Sequence, residues 1–450
     1  MLNLVKFASS LFSKGALRGS ATALAIKFAG SILGFAMFAI ASRQMDPATF
    51  GSFAIIFNVM SFLAVVVLCG QETLIIRSWN EYCGSGQPGM AKGLLTFGAQ
   101  VVSGAALLAV LAIAIVWPAW DRTVSMPLLI AACAFLVAQA LVHFSGLFSR
   151  AAAGVLLGDG PREVVWRLLV VATITLYHVF GLSFGPTHFF LIAAGALLAA
   201  AGAQLWFVAR IVPEAVKRAH AERDVRVWIP RAAHMWVSAL LDTTGQYLEV
   251  VAIGFFIGPT AAAFYFVATR ITNVFAMITG GIASYATSQI GTLFYGGAKE
   301  ELQTLLRSLA IISATLVGGC LAVILVGGHL LLWAFGASYV SAYPALVVLA
   351  VGSGIAGLAG PAAHVLLLTG QEAAYPRIMA CGLIARFALI AILGPWFGLM
   401  GAAIAWSLSA AGMALALVIA CRKLVGLDPS LFGALSRNAL PMARLKGSLP

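Results

Sequence analysis

Apolar runs long enough to cross a bilayer recur from one end of this chain to the other, and no other feature restricts the fold as severely. A helix needs about 20 apolar residues to cross ~30 Å of hydrocarbon. Runs of that order lie at 19–41, 51–71, 93–117, 126–147, 164–183 and 187–209, then at 232–256, 262–288, 304–326, 343–368, 377–394 and 399–421. The residues are 62% hydrophobic and 9% charged over a length of 450, too little charged surface to keep a soluble protein of this size dispersed. The expected fold class is an all-α polytopic membrane protein with about twelve transmembrane helices.

The 27 Lys and Arg exceed the 15 Asp and Glu, and their placement matters more than their number. With the N-terminus inside, cytoplasmic segments collect Lys6, Lys14, Arg18, Arg77, Lys92, Arg150, Arg162, Arg167, the cluster from Arg210 to Arg231, Lys299, Arg307, Arg377 and the tail from Arg422 onward. The other side holds Arg43 and Arg122. This positive-inside bias puts both termini in the cytoplasm and argues against a nucleic-acid partner. The lead from Leu2 to Leu17 is basic and amphipathic and runs into a full-length span, which reads as an uncleaved first helix.

The longest polar interruption, Arg210 to Arg231, is punctuated by Pro213 and Pro230 near the middle of the chain. It divides the sequence into a cytoplasmic N-terminus (1–18), a first six-helix bundle (19–209), a linker (210–231), a second six-helix bundle (232–421) and a cytoplasmic tail (422–450). Two hairpins support the duplication. Met45-Asp46-Pro47 opens the second span, and Ile257-Gly258-Pro259 opens the eighth. Placing Pro47 on Pro259 also places Gly51 on Ala263 and Phe53 on Tyr265. Proline stops one helix, and a small residue lets the next pack close. An even number of spans per half predicts a parallel repeat with a pseudo-two-fold along the membrane normal.

Several motifs carry no chemistry. Gly84-Ser85-Gly86-Gln87-Pro88-Gly89 and Gly352-Ser353-Gly354-Ile355-Ala356-Gly357 spell GxGxxG, but neither lies between a strand and a helix. The six cysteines show no CxxC spacing, and the seven histidines are scattered, so neither a metal site nor a disulfide framework is expected. His143 and His178 fall in spans, as proton carriers or as packing groups. No catalytic constellation is visible, and the loops are too short for a catalytic domain.

The informative residues are charges inside spans, where an ionised side chain costs at least ~2.5–3.5 kcal/mol and normally faces protein or a water-filled cavity. Ser238, Asp242, Gln246 and Glu249 recur at helical spacing on the seventh span; Arg270, Asn273, Met277, Gly281, Ser284 and Ser288 do so on the eighth. Lys27 lies in the first span beside the Gly30/Gly34 pair, Arg386 in the eleventh, and Glu72 and Arg77 close the second near the cytoplasm. These groups either pair to fix helix register or line a central cavity, and their spread over both halves favours the cavity. Pro361, after Gly360, is expected to kink the tenth span as a hinge or as a static kink.

The segments SRQMDPATFGSFAIIFNVMSFL, QETLIIRSWNEY, LDTTGQYLEVVAIGFFIGPTAAAFYFVATRI and LLLWAFGASYVSAYPALVVLA resemble O-antigen and exopolysaccharide flippases of the multidrug/oligosaccharidyl-lipid/polysaccharide exporter superfamily. Ala263 departs from the glycine usual there. About twelve spans fit this type better than the similar lipid II flippases, which usually have two more. The resemblance implies an alternating-access transporter in a bacterial inner membrane, moving an undecaprenyl-diphosphate-linked oligosaccharide to the periplasmic leaflet. It implies a lipid-linked substrate, with a polysaccharide polymerase and glycosyltransferases as partners and no cofactor beyond a coupling ion, H+ or Na+. Lys27, Arg270 and Arg386 would then bind the diphosphate or sugar acids. Asp242 and Glu249 would balance charge or couple the ion, Gln246 and Asn273 would line the cavity, and Glu72 and Arg77 would gate it. The alternatives are a cation-coupled multidrug exporter of the same superfamily or, less in keeping with the short loops, a membrane polysaccharide polymerase or ligase.

Overall fold

A computed structural model describes residues 16–120 and 125–435, and the side chains of all of these except 16–21, 118–120 and Ser288. The amphipathic lead up to residue 15, Arg122 and the basic tail beyond residue 435 lie outside the described residues, as does the side chain of Ser288 in the eighth-span stripe.

Helices account for nearly all of the described chain, and no strand occurs among the described residues. The first of them are α1 (Ala16–Arg43), α2 (Pro47–Val66), α3 (Gln71–Gly84), α4 (Pro88–Trp120), α5 (Met126–Ala153) and α6 (Val155–Gly160). After a π-helical turn, Pro161–Val165, come α7 (Trp166–Val179), α8 (Pro186–Ile211), α9 (Glu214–Arg218) and α10 (Val225–Phe256). The remainder are α11 (Pro259–Tyr295), α12 (Lys299–Trp333), α13 (Tyr343–Gly357), α14 (Ala362–Leu368), α15 (Ala374–Ala420) and α16 (Leu431–Leu435).

Nine stretches among the described residues are long and apolar enough to cross a membrane. One of them, Ala374–Val425, turns back at Gly398 (φ 57°, ψ −138°) beside Pro395 and makes two crossings. The stretch from α6 through α7 and the helix α10 are long enough but too polar to stand among the nine. Counting them gives twelve crossings, six on each side of the Arg210–Arg231 segment. The chain is an all-α, multi-pass membrane protein. Leu107, Leu108, Ile115, Val326 and Trp396 are exposed, as lipid-facing side chains are.

The chain forms two compact units, divided between Gly254 and Phe255. In the first, Phe38, Phe53, Phe57, Phe135, Phe189 and Phe190 from α1, α2, α5 and α8 pack ring against ring. Phe53 lies 4.5 Å from Phe189 and 5.4 Å from Phe190, and Phe57 lies 5.4 Å from Phe135. Lipid is as apolar as these rings, so their preference for one another rests on close packing and edge-to-face geometry. A second core holds Leu74, Trp79, Phe148 and the fully buried Trp228, whose Nε1 donates to the Tyr82 hydroxyl at 2.8 Å. Trp228 sits in the segment that the sequence reads as linker, and that segment is docked. Lys92 Nζ donates to the carbonyls of Lys217 and Ala219 (2.7 and 2.9 Å), and Glu222 N donates to Gly89 O (3.0 Å).

Between α2 and α3 the chain breaks at Val67–Gly70. Gly70 adopts φ +71°, and its α-hydrogen faces the Ala232 carbonyl so closely that a Cβ would collide with it. The Val66 carbonyl, which the break leaves to Cys69 N of its own turn at 3.2 Å, also accepts Trp236 Nε1 from α10 at 3.0 Å.

In the second unit, Ser407 Oγ donates to Val348 O (2.9 Å) and Ser313 Oγ to Gly357 O (3.2 Å), tying α12 and α15 to α13. The tenth span breaks at 358–361, where Pro361 was expected to kink it. The Leu358 carbonyl accepts Leu431 N at 3.0 Å, so the chain after α15 fills the break. Gln303 on α12 holds that segment through paired hydrogen bonds with the Asp428 backbone (2.9 and 3.2 Å), and Arg422 pairs with the Asp428 carboxylate at 2.6 Å.

Candidate functional site: an ionisable cavity in the first unit

The charged wall of the site is built where α5 gives way to α7. Gly154 ends α5 at φ +90°, and α6 carries Asp159 back against it. Asp159 is 2% exposed and is shared by Arg150 (3.3 Å) and Arg162 (3.3 Å). Pro161 has no N–H and cannot continue the regular hydrogen-bond ladder, and the backbone widens into the π turn. Side chains serve carbonyls of this turn: Trp166 Nε1 donates to Arg162 O at 2.7 Å, and Arg167 Nη1 to Glu163 O at 2.5 Å. Arg167 Nη1 also meets the Glu163 carboxylate at 2.7 Å, and Arg162 Nη2 lies 3.5 Å from its other oxygen.

The Gly30/Gly34 pair of α1 has its explanation here. A Cβ on Gly30 would stand 2.8 Å from both Arg167 Nη1 and Glu163 O, so only glycine leaves room for this ion pair. At Gly34 the nearest atom, Arg167 Nε, would be 3.7 Å away, an ordinary contact.

Arg162, Glu163 and Arg167 form one side of a cavity of about 430 Å³, within the range of small-ligand sites. Glu72 enters from the first turn of α3 and Gln139 and His143 from α5, while α10 contributes Asp242, Thr243, Gln246 and Tyr247. The ionisable lining is therefore two guanidiniums, one imidazole, three carboxylates and one phenol. Such a wall offers hydrogen-bond donors and acceptors and both signs of charge, and it is costly to maintain in a membrane unless it is hydrated or occupied.

Of the residues singled out in the sequence, Asp242, Gln246 and Glu72 converge on this cavity. Arg77, five residues beyond Glu72, is exposed and is not part of the lining. Glu249 is buried on α10 (4% exposed), and Lys27 is exposed on α1. Three others belong to the second unit. Arg270 lies 4.4 Å from the Phe266 ring centre, Asn273 is exposed, and Arg386 is buried. The Arg386 Nε donates to Ser409 Oγ at 2.8 Å, and its guanidinium sits 5.3 Å from the Trp406 ring.

Sequence reasoning missed the arginine–glutamate cluster. Arg162 and Arg167 were counted among cytoplasmic charges, but the helical segment begins at Val155, ahead of the expected 164, and carries them onto the cavity wall. The available signal was the Glu163/Arg167 spacing of four residues directly after Pro161. His143, read as either a proton carrier or a packing group, is half-buried on the lining.

The fold is one used by membrane transporters. It is similar to an inward-facing multidrug resistance MATE family transporter of the MOP superfamily, at 16% identity and TM-score 0.71, over 90% of this chain and 98% of that one. Similarity to the lipid II flippase MurJ in an inward closed conformation covers 90% of this chain and 88% of that one, at 10% identity and TM-score 0.64. The Vibrio cholerae MATE transporter VcmN aligns at 15% identity and TM-score 0.57, over 90% and 98% of the two chains. Identities this low speak to the fold alone. No curated protein sequence matches the chain. The family model for polysaccharide biosynthesis proteins matches residues 16–290, more than half of the chain, and the chain belongs to that family.

Proposed function

We propose that this protein is a flippase that carries a polyprenyl-diphosphate-linked oligosaccharide from the cytoplasmic to the periplasmic leaflet of a bacterial inner membrane by alternating access. The observation that carries this reading is the cavity of about 430 Å³ walled by guanidiniums, carboxylates and amides within the helices of one unit, in a chain of the polysaccharide biosynthesis family. A diphosphate bearing sugars cannot cross ~30 Å of hydrocarbon unaided. It needs charge-assisted donors for the phosphates and mixed donors and acceptors for the hydroxyls.

On this reading both termini are cytoplasmic, and glycosyltransferases supply the cargo that a polymerase consumes. The chain itself catalyses no covalent step, and it takes no cofactor beyond a coupling ion, H+ or Na+. Asp242 and Glu249 are the coupling candidates, Lys27, Arg270 and Arg386 the further cationic contacts, Glu72 and Arg77 the gate, and Pro361 the hinge.

The test is polysaccharide export in a transporter-deletion strain. The wild-type gene restores export; Asp242→Asn, Gln246→Ala and Arg270→Ala, expressed at wild-type level, reduce it severalfold. Full export by Asp242→Asn and Gln246→Ala would remove the cavity from the transport path, and full export by Arg270→Ala would remove that cationic contact. A second reading, a cation-coupled drug exporter, is favoured by the excess of carboxylates (Glu72, Glu163 and Asp242) over guanidiniums in the lining. Resistance to cationic dyes without restored export would establish it instead.

A further inference from the structure

The cavity wall already contains an anion held by two arginines. One oxygen of Glu163 lies 2.7 Å from Arg167 Nη1, and the other lies 3.5 Å from Arg162 Nη2. A guanidinium carries more N–H donors than one carboxylate can accept, and here donors outnumber acceptors. Arg162 reaches Asp159 through Nη2 alone, at 3.3 Å, while its Nε is buried without a hydrogen-bond partner. Arg167 engages Glu163 through Nη1 alone. A phosphoryl group offers more oxygens than a carboxylate and matches the guanidinium fork in two-point contact.

We propose that Arg162 and Arg167 bind the phosphoryl anion of the cargo, and that Glu163 is an internal stand-in which this anion displaces. That the anion belongs to a lipid headgroup rests on the flippase reading; the exchange of anions at the arginines does not.

Displacement has a consequence for protons. Glu163 is faced by Arg167 on α7, by Arg162 on its own turn and by His143 on α5. Asp159 on α6 reaches it only through Arg162. The nearest approach from α1 is glycine, with the exposed Lys27 three residues before Gly30. From α8 the lining receives Leu197, and across the cavity stand Glu72 on α3 and Asp242 on α10. Once an anion takes the guanidiniums, the Glu163 carboxylate keeps only His143 as a basic neighbour, beside the new negative charge and two carboxylates. Protonation from water removes that repulsion, so anion binding takes up a proton at Glu163.

The experiment titrates the purified full-length protein in detergent with inorganic pyrophosphate and, in a second arm, with farnesyl diphosphate, at pH 6 and pH 8. At pH 8, Glu163→Gln binds more tightly than wild type by about tenfold or more, and the gap narrows at pH 6 as the wild type takes up its proton; using the same probe on both proteins cancels the probe's own titration. Arg162→Gln and Arg167→Gln each lose about tenfold or more. Arg162→Lys and Arg167→Lys, which keep the charge, lose less, and thermal melting shows whether each variant is folded. Farnesyl diphosphate binding above pyrophosphate assigns the anion to a lipid headgroup, and equal binding assigns it to a free phosphate. The proposal fails if Glu163→Gln matches wild type at both pH values, or if folded Arg→Gln variants bind within twofold of it. If the site binds as described but the gene does not restore export, the flippase reading alone fails.

Discussion

Asp46 and Gly258 occupy the same slot in the two hairpins and solve the same problem differently. The Asp46 carboxylate accepts Ala48 N at 3.1 Å and Thr49 N at 3.0 Å, capping α2 ahead of Pro47. Gly258 has no side chain and instead turns the chain into α11 at φ +129°. A hydrogen bond from the Thr49 side chain, with the backbone bonds behind it, holds the Asp46 carboxyl below its ordinary value of 3.8. A depressed folded value means that the cap stabilises fully above the unfolded value and is lost as pH falls through the folded one. Asp46→Ala is therefore expected to cost about 1 kcal/mol near neutral pH, with the difference in melting temperature shrinking once the pH drops below 3.8. An undiminished difference in acid would show that the ionised form is not what caps the helix. Gly30 makes a sharper case. A methyl there would sit 2.8 Å from Arg167 Nη1, whereas at Gly34 it would be 3.7 Å from the nearest atom. Gly30→Ala should weaken pyrophosphate binding about as much as Arg167→Gln, and Gly34→Ala should leave it near wild type. Equal effects of the two alanines would mean that the pair serves helix packing in general rather than the seating of Arg167.

At the scale of elements, each unit contains a transmembrane helix broken in two, and a donor from elsewhere in the chain bonds the carbonyl at the break. The break at Val67–Gly70 receives Trp236 on the Val66 carbonyl, and the break at 358–361 receives Leu431 N on the Leu358 carbonyl. The Val66 carbonyl keeps Cys69 N when the Trp236 bond is lost, so that loss is worth about the ordinary 0.5–1.5 kcal/mol of one hydrogen bond. Trp236→Phe keeps an aromatic ring but removes the N–H, so it should lower the melting temperature and speed amide exchange in α3; Trp396→Phe, at an exposed tryptophan, should change neither. If both variants melt alike, the Trp236 bond is not what closes the break. The hairpins were legible because Pro47 and Pro259 each open a helix, and local chemistry settles that. The Gly30/Gly34 pair was visible as a close-contact motif, but what approaches it is a side chain, which no spacing within α1 reveals. Arg162, Glu163 and Arg167 were hidden for a related reason. They look like loop charges until the widened turn after Pro161 joins them to α7, and the residues opposite come from α3, α5 and α10, as far along the chain as Glu72 and Tyr247.

On the scale of the whole molecule, apolarity and function compete for the same helices. The two crossings too polar to stand among the nine apolar stretches, α6–α7 and α10, are the ones that bring Arg162, Glu163, Arg167, Asp242 and Gln246 to the cavity. Charge lowers the hydropathy by which a span is recognised, so the least membrane-like sequences here line the cavity. The duplication of hairpins starts a second half at α10, yet α10 packs through Trp228, Ala232 and Trp236 within the unit that ends at Gly254. Whether these two polar segments cross the bilayer decides the topology. Cysteines are introduced singly as Ser183→Cys after α7, Ala221→Cys before α10 and Thr260→Cys after it, in a variant whose own six cysteines are replaced by serine. With both segments crossing, a membrane-impermeant maleimide applied to intact spheroplasts labels positions 183 and 260, and position 221 reacts only after permeabilisation. If α6–α7 lay along the membrane surface, position 183 would share the cytoplasmic side with the loop at Gly154; if α10 did, positions 221 and 260 would label together. Either pattern alone would remove one of the twelve crossings and take the arginine–glutamate cluster or Asp242 out of the membrane, and with it the cost that makes a cavity in this place informative.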